Sequence, residues 1–383
     1  MCYRVLFISS WFPNRLEPTN GNFVHRHAQA ASVLDEVEVL HAIGDSGLEA
    51  RFEVEDRMRE GVRVVTVYYK KRAFPIFNFL ERMRAYRLGF RLVQQPDVVH
   101  ANVLYTPLFF AVWLKKRWGI PYVVTEHWTA LRKKNRSRLS WGKRWMAWYL
   151  GNQSSLVLPV SRELSLGLQT LGIKREMKVI PNVVDTGLFV SEKRADSATV
   201  TFLHVSNLIR RKKPMEILDS AIGLMKKGYR FRLEIGGDGS ENDLSALRQR
   251  AWQSGFGEVI VVFGAQTLAQ VAERMRRCDY FILFSEDENQ PCVIAEAFSC
   301  GTKVISTDVG GVSEFFPEGF GWLLEKPDSL LLSAAMAEAL EEKGCYDREK
   351  IRAFAQKVFS PEAVGGQFHE VYKNVLRDKN EGD

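Results

Sequence analysis

The sequence predicts an α/β protein of two doubly wound units, each a mostly parallel sheet covered by helices on both faces. Three observations point there. Short apolar runs of strand length alternate with helical stretches along nearly the whole chain. The alternation breaks at a polar junction, Pro181 to Ser197, and then restarts. The length of 383 residues exceeds the size at which one hydrophobic core stops growing, so two domains are expected.

Taken in order, Arg4–Ser9 reads as a first strand, Phe23–Leu34 as a helix, and Val37–Ala42 and Val62–Val67 as further strands. Asp97–His100, Tyr122–Thr125 and Leu156–Val160 continue the sheet, with helical segments around Tyr105–Trp118 and Trp141–Leu150. The junction carries the turn signals Pro181-Asn182 and Asp185-Thr186-Gly187. Beyond it, Val200–Val205, Phe231–Ile235, Val259–Phe263, Tyr280–Phe284 and Lys303–Ser306 repeat the pattern, again separated by helical stretches. The last helices of the second half fall at about 328–357, and a helical C-terminal segment runs from Ser360 to about Leu376.

An apolar content of 46% and a charged content of 26% are those of an ordinary globular protein. The five cysteines form no C-x-x-C pair and are odd in number, which fits buried thiols in a reducing compartment better than a disulfide framework. The start, Met1 to Ile8, lacks the long apolar core of a signal peptide, and no apolar run approaches the roughly 20 residues of a membrane-spanning helix. A cytoplasmic protein is expected. The net charge of +7 is uneven: residues 1–180 hold 28 basic and 15 acidic residues, a net of +13, and the remainder holds 25 and 31, a net of −6. Such a split points to an anionic partner for the first half, nucleic acid or a membrane surface.

Chemistry concentrates in Glu288-Asn289-Gln290-Pro291-Cys292-Val293-Ile294-Ala295-Glu296. A short apolar strand, Tyr280–Ser285, precedes it, and Ser299-Cys300-Gly301 closes the following helix with a glycine at its C-cap. A strand, an acidic loop and a helix N-terminus make a ligand site at the carboxyl end of a parallel sheet. The helix start can hold a diphosphate, and the two carboxylates can accept hydrogen bonds from sugar hydroxyls. Gly236-Gly237-Asp238-Gly239 does not satisfy G-x-G-x-x-G and reads as a tight turn after a strand. His25 and His27 are no metal pair, because i and i+2 on a helix face different ways; no metal site is expected.

Four matches in fixed order resemble the retaining glycosyltransferases of family 4. Val179-Ile180-Pro181-Asn182-Val183-Val184-Asp185-Thr186-Gly187-Leu188-Phe189 is similar to the family's interdomain "IPNGVD…F" signature, with Val where Gly is usual. Leu203 to Lys213 resembles its "VGRL…K" phosphate loop, Glu288 to Glu296 its E-x7-E motif, and Gly310-Gly311-Val312-Ser313-Glu314 its "GG…E" element. The resemblance implies the GT-B fold, two Rossmann-like domains facing across a cleft. It divides the chain into an acceptor-binding domain at 1–180, a linker at 181–198, a nucleotide-sugar-binding domain at 199–358, and a helix and tail at 359–383 returning to the first domain.

Residue by residue, the resemblance places Glu288 beside the donor sugar, Glu296 on the nucleotide ribose, and the backbone of Gln290, Pro291, Cys292 and Val293 near the donor's sugar and phosphates. Lys212, or Lys213, would neutralise the diphosphate leaving group without a cofactor or metal, since fixed positive charge lowers the barrier as negative charge develops. The family's usual Arg is Asn207 here, in Ser206-Asn207-Leu208-Ile209-Arg210-Arg211-Lys212-Lys213, so Arg210 or Arg211 would supply the missing cation. In the first domain, Gly21 and Asn22 would face the donor phosphates in a glycine loop opening a helix, and His127 would lie beneath the sugar, able to hydrogen-bond a sugar hydroxyl or the acceptor. The implied reaction is transfer of a glycosyl group, with retention, from a nucleotide sugar to a hydroxyl of a growing glycan. A nucleotide-sugar epimerase or hydrolase of the same fold, and a catalytically silent partner subunit, are the rival readings.

Two stretches concentrate the positive charge among aromatics. One runs from Tyr68 through Lys70-Lys71-Arg72 and Phe74-Pro75-Ile76-Phe77 to Leu80, followed by Arg82, Arg84 and Arg87. The other runs from Arg132 to Tyr149, where Trp141, Trp145 and Trp148 at i, i+4 and i+7 share a helix face. Such faces suit an anionic bilayer, so the first domain is expected to rest peripherally on the cytosolic side of a membrane and receive a lipid-linked acceptor. No recognised nucleic-acid-binding module is present, and no nucleic-acid partner is expected.

Overall fold

The computed structural model describes residues 1–192 and 199–382, so the end of the expected linker, 193–198, lies outside the described residues. The chain forms two compact units, Met1–Val183 with Pro361–Asp383, and Val184–Ser360.

The first unit contains β1 (Arg4–Ser9), α1 (Asn22–Ala31), β2 (Glu36–Asp45), β3 (Phe52–Arg59), β4 (Val62–Lys70), α2 (Pro75–Phe90), β5 (Val98–Asn102), α3 (Leu108–Trp118), β6 (Tyr122–Glu126), α4 (Trp141–Gln153), β7 (Leu156–Pro159) and α5 (Arg162–Thr170). Its sheet has the order β3-β4-β2-β1-β5-β6-β7, and only the β3–β4 pair is antiparallel. Setting aside β3, the parallel strands run third-second-first-fourth-fifth-sixth, the doubly wound order. Strand residues alternate between two core layers, as a period of two demands. Leu6 and Ile8 of β1 join the layer shared with α2, α3 and α4, whereas Val5 and Phe7 join the layer containing α1.

The second unit contains β8 (Thr201–Ser206), α6 (Pro214–Lys226), β9 (Arg232–Gly237), α7 (Glu241–Gln253), β10 (Ile260–Phe263), α8 (Leu268–Arg277), β11 (Tyr280–Leu283), α9 (Cys292–Ser299), β12 (Lys303–Thr307), β13 (Gly321–Leu324), α10 (Ser329–Glu342) and α11 (Arg348–Phe359). Its order, β10-β9-β8-β11-β12-β13, is again third-second-first-fourth-fifth-sixth and wholly parallel. Tyr280 and Ile282 face one core layer and Phe281 and Leu283 the other, all fully buried. Cutting Phe281 to alanine would cost about 3–5 kcal/mol, the usual range for a buried phenylalanine. Capping boxes at Ser240/Asp243 and Thr267/Gln270 satisfy the first turns of α7 and α8.

The final helix, α12 (Pro361–Gly382), packs against α1 and buries Val364, Phe368, Val371 and Tyr372 in the first unit's core. A substituent on Gly365 would collide with the Ala30 carbonyl, so the two helices touch backbone to backbone there.

Several elements depart from the sequence reading. The helix expected from Phe23 begins at Asn22 and ends at Ala31, and α3 begins at Leu108 rather than Tyr105. Gly301 is not itself the C-cap of α9: Cys300 caps the helix and Gly301 follows it at φ 69°. Strands β3 and β13 and helices α2 and α5 were not foreseen individually. No disulfide forms among the described residues, but Cys2 and Cys345 are exposed and Cys292 is half-buried, so burial of the thiols holds only for Cys278 and Cys300. Among the described residues no helix is long and apolar enough to cross a membrane.

Candidate functional site

In each sheet the first and fourth parallel strands are neighbours, β1 beside β5 and β8 beside β11. The connections leave these pairs in opposite directions, which opens a crevice at the strands' carboxyl ends. In the second unit the two loops leaving that point carry the residues singled out in the sequence.

The loop after β8 is held from below by a neutral histidine. His204 Nδ1 lies 2.8 Å from the Ile282 carbonyl, which only accepts, so Nδ1 carries the proton and Nε2 accepts from Ser206 Oγ at 2.8 Å. Ser206 Oγ in turn accepts the Leu208 N–H at 3.0 Å and fixes a turn in which Leu208 has φ 53°. Burial, opposed by the Ile282 bond and assisted by the charge of Lys212, pushes His204 down to about 4, so it stays neutral. The Gly236–Gly239 turn presses on the same loop. Gly237, at φ 132°, sits so close to the Ser206 carbonyl that any side chain would collide with it, and Asp238 N–H donates to that carbonyl at 3.1 Å.

Arg210–Lys212 forms a single 3-10 turn that ends at Lys213 in the left-handed region, where α6 begins with Pro214. This presents the two lysines toward the loop leaving β11. Lys212 Nζ forms an ion pair with Glu288, both largely buried. Lys213 Nζ lies 3.1 Å from Glu286 and 3.2 Å from Glu216. Burial lowers the Lys213 pKa, but the bonds to Glu286 and Glu216 outweigh it and raise the ammonium above its ordinary value. The Glu286 N–H also donates to the Arg211 carbonyl at 2.9 Å, tying the loops together through backbone. Arg210, Arg211 and Asn207 are exposed, and neither arginine has an ion pair among the described residues.

Glu288, Asn289 and Gln290 are buried polar residues between β11 and α9, and Glu296 is buried inside that helix. Helix α9 opens at Cys292 after Pro291, so the first-turn N–H groups of Cys292 and Val293 and the positive end of its dipole lie at the carboxyl edge of the sheet. The Asn289 carbonyl accepts from Gly311 N–H at 2.9 Å, which brings the glycine pair after β12 beside the acidic loop. Lys212, Lys213, Glu288 and the start of α9 therefore gather at one switch point, where two ammonium groups meet the carboxylates of the loop leaving β11.

In the first unit, Gly21 has φ 77° and packs so tightly on Trp11 that a Cβ would collide with the Trp11 carbonyl. The need for glycine there arises within the chain, beside any role toward a ligand. Asn22 starts α1, and the next residue, Phe23, places its ring 4.4 Å from that of His127 at the end of β6. Gly21, Asn22 and His127 thus meet through Phe23. His127 is half-buried and held neutral well below its usual pKa, first by desolvation and then by the nearby His27 and His100. Among the described residues no group of three or more His, Cys, Asp or Glu could hold a metal ion.

Two features escaped the sequence reading. One is the His204–Ser206 pair, whose i, i+2 spacing on one face of a strand was the available signal. The other is Glu126, whose carboxylate accepts N–H groups from Leu104 at 2.7 Å, His127 at 2.8 Å and Trp128 at 2.7 Å. Burial lifts its pKa to about 7 although those bonds oppose it. It clamps the loop leaving β5 to the end of β6.

Against this geometry, the comparisons with known proteins are specific. Residues 21–188 match the model described as Glycosyltransferase Family 4, and residues 189–358 match Glycosyl transferases group 1. The chain belongs to glycosyltransferase family 4. The fold is GT-B, in keeping with the paired doubly wound units. N-acetyl-alpha-D-glucosaminyl L-malate synthase of Bacillus anthracis is 26% identical over 212 residues, 55% of this chain and 52% of that protein. The match therefore spans about half the length of that relative. The putative teichuronic acid biosynthesis glycosyltransferase TuaC of Bacillus subtilis is 24% identical and aligns over 98% of this chain and 96% of its own length. The structure of HepE from Anabaena in complex with UDP and glucose superposes with a TM-score of 0.73 over 97% of this chain and 100% of that one, at 18% identity.

Proposed function

We propose that this glycosyltransferase moves a sugar, with retention at the anomeric carbon, from a nucleotide-sugar donor to a hydroxyl of a lipid-linked glycan, in the assembly of a cell-surface polysaccharide or glycolipid. The observation that carries the reading is the ion pair of Lys212 with Glu288 at the second unit's switch point. A cation there suits a diphosphate, and a carboxylate there suits sugar hydroxyls. The names of TuaC, tied to teichuronic acid biosynthesis, and of HepE, found with UDP and glucose, favour a polysaccharide product and a nucleotide-sugar donor.

On donor binding, the diphosphate takes Lys212 from Glu288, and Glu288 turns to the sugar hydroxyls. The α9 N-terminus and Lys213, with Arg210 or Arg211 in place of the arginine that Asn207 lacks, supply the remaining positive charge, so the reaction runs without a metal. Glu296 holds the ribose. The bond from the anomeric carbon to phosphate oxygen breaks as the acceptor oxygen forms the new bond on the same face. The acceptor's proton passes to the departing phosphate oxygen. Glu288 positions the sugar and forms no covalent bond to it, while His127 and the Gly21–Asn22 turn belong to the acceptor-side unit.

The test is incubation with a panel of nucleotide sugars, with and without membrane extract, measuring release of nucleoside diphosphate. Release that depends on the extract supports transfer. Release without any acceptor would favour the epimerase or hydrolase, and no release under either condition the silent subunit. Glu288→Gln should cut turnover by roughly a hundred-fold or more, as loss of a group that acts on developing charge does, with the fold intact by circular dichroism. Near-normal turnover in that variant would remove Glu288 from the chemistry.

A further inference from the structure

Resting on the reading of a lipid-linked acceptor, we propose that the N-terminal ends of α2 and α4 form one rim of the first unit that inserts into an anionic bilayer. Both helices follow parallel strands and run back along the sheet, so their first turns lie at its carboxyl edge. That edge also carries Gly21, Asn22 and His127. A membrane at the rim therefore delivers a lipid headgroup to the edge of the unit that carries these three residues.

The rim is apolar where a soluble surface is ordinarily polar. Phe74, Ile76 and Phe77 at the start of α2 are exposed, Phe74 by 65%, and so are Trp141, Trp145 and Trp148 on α4, Trp141 by 79%. Scattered exposed apolar residues are common, but these belong to one face. Phe79 of α2 meets Phe109 of α3 at 5.6 Å, Phe109 stacks on Tyr149 at 6.1 Å, and Tyr149 stacks on Trp145 at 5.5 Å, so aromatic contacts run unbroken from one helix to the other.

Charge identifies the occupant. Residues 61–80 and 127–162 contain no Asp or Glu. Lys71, Arg72, Lys133, Arg138 and Lys143 are exposed and have no ion pair among the described residues. Aromatic rings at headgroup depth with unpaired cations beside them match an anionic bilayer surface. Aliphatic Ile76 and Leu80 offer a nucleic acid nothing to stack on, which sets the membrane above RNA or DNA as occupant.

The experiment uses the full chain and vesicles free of substrate, so it reads binding apart from turnover. Flotation should occur with vesicles of one-third phosphatidylglycerol in phosphatidylcholine, fall steeply in 0.5 M salt, and be weak with phosphatidylcholine alone. Brominated lipid should quench tryptophan fluorescence, and W141F/W145F/W148F should abolish most of that quenching while keeping the thermal stabilisation by UDP. Neutralising Lys71, Arg72, Lys133, Arg138 and Lys143 together should weaken partitioning by more than about 100-fold, at roughly five-fold per charge. The proposal is overturned by no flotation on any vesicle, by equal recovery on neutral and anionic vesicles at any salt, by quenching that survives the triple variant, or by capture of RNA without flotation. Flotation without transfer to any lipid extract would instead sink the acceptor reading alone.

Discussion

Lys212 and Glu288 answer to each other in a way that a double-mutant cycle can measure. Their side chains are 13% and 10% exposed, so each is largely withdrawn from water and compensates the other's charge. Lys212→Met leaves the Glu288 carboxylate buried without its cation. Breaking such a pair costs about 3–5 kcal/mol, and the residual exposure and the other contacts of Glu288 place the expected loss near the lower figure. Glu288→Gln still offers Lys212 an acceptor oxygen and should cost about half as much. Removing both charges together should cost little more than the milder single change, a coupling of about 2–3 kcal/mol. Differential scanning calorimetry on the intact chain would follow the second unit's transition. At about 2–4 °C per kcal/mol for a unit of this size, Lys212→Met should lower it by ~6–12 °C. Strictly additive losses, or single variants within about 1 °C of the parent, would refute the idea that these two charges neutralise each other. UDP should stabilise the parent and fail to stabilise Lys212→Met, because the diphosphate then meets no cation at that position.

Acid should melt the first unit before the second. His27 and His41 are held near 4 and His100 and His127 well below their usual value, all by burial, whereas the second unit holds only His204. Between pH 4 and 6.5 the unfolded chain binds protons that the native histidines refuse, so stability falls as pH drops through that window, by on the order of 3 kcal/mol for each group held near 4. Calorimetry at pH 7.5 and 5 would check which transition moves, and a faster loss of the second unit would contradict it. Glu126 works in the opposite direction: its pKa near 7 gives stability that is present below pH 4.5 and lost as pH rises through 7, so Glu126→Gln should remove that falling contribution between pH 4.5 and 7. Gly237→Ala combines a left-handed backbone with a collision on the Ser206 carbonyl and should destabilise the second unit by at least about 2 kcal/mol, weakening UDP binding as the β8 loop shifts. An unchanged melting temperature and UDP affinity would show that the turn yields without cost.

Much of the architecture was readable because strands buried on both faces announce themselves. Val5–Ile8 and Tyr280–Leu283 are apolar at every position, and no surface element mimics that. Strand β3 was missed for the opposite reason. Phe52–Arg59 is an edge strand dominated by charged residues, and only its pairing with β4 makes it a strand. Helix α2 was hidden because its outward face carries Phe and Ile beside basic residues, which removes the contrast between faces on which periodicity depends. In the site, Glu288 and Lys212 could be singled out from motifs, but their ion pair joins residues 76 positions apart and depends on β8 lying beside β11. The same holds for Glu126, whose three donors lie on two separate loops, and for the Gly237 turn, whose purpose is visible only against the Ser206 carbonyl.

The path of the chain sets an order of assembly. The second unit is one uninterrupted stretch, Val184–Ser360, lying in sequence between the two segments of the first, whose core is completed by α12. The Tyr372 hydroxyl that meets His100 at 2.6 Å is translated 272 residues after its partner. On the ribosome, the later-encoded unit can therefore close its core while the earlier one still waits for its last helix. A chain stopped at Ser360 would keep the unit that gathers Lys212 and Glu288 and lose the integrity of the unit built on Met1–Val183.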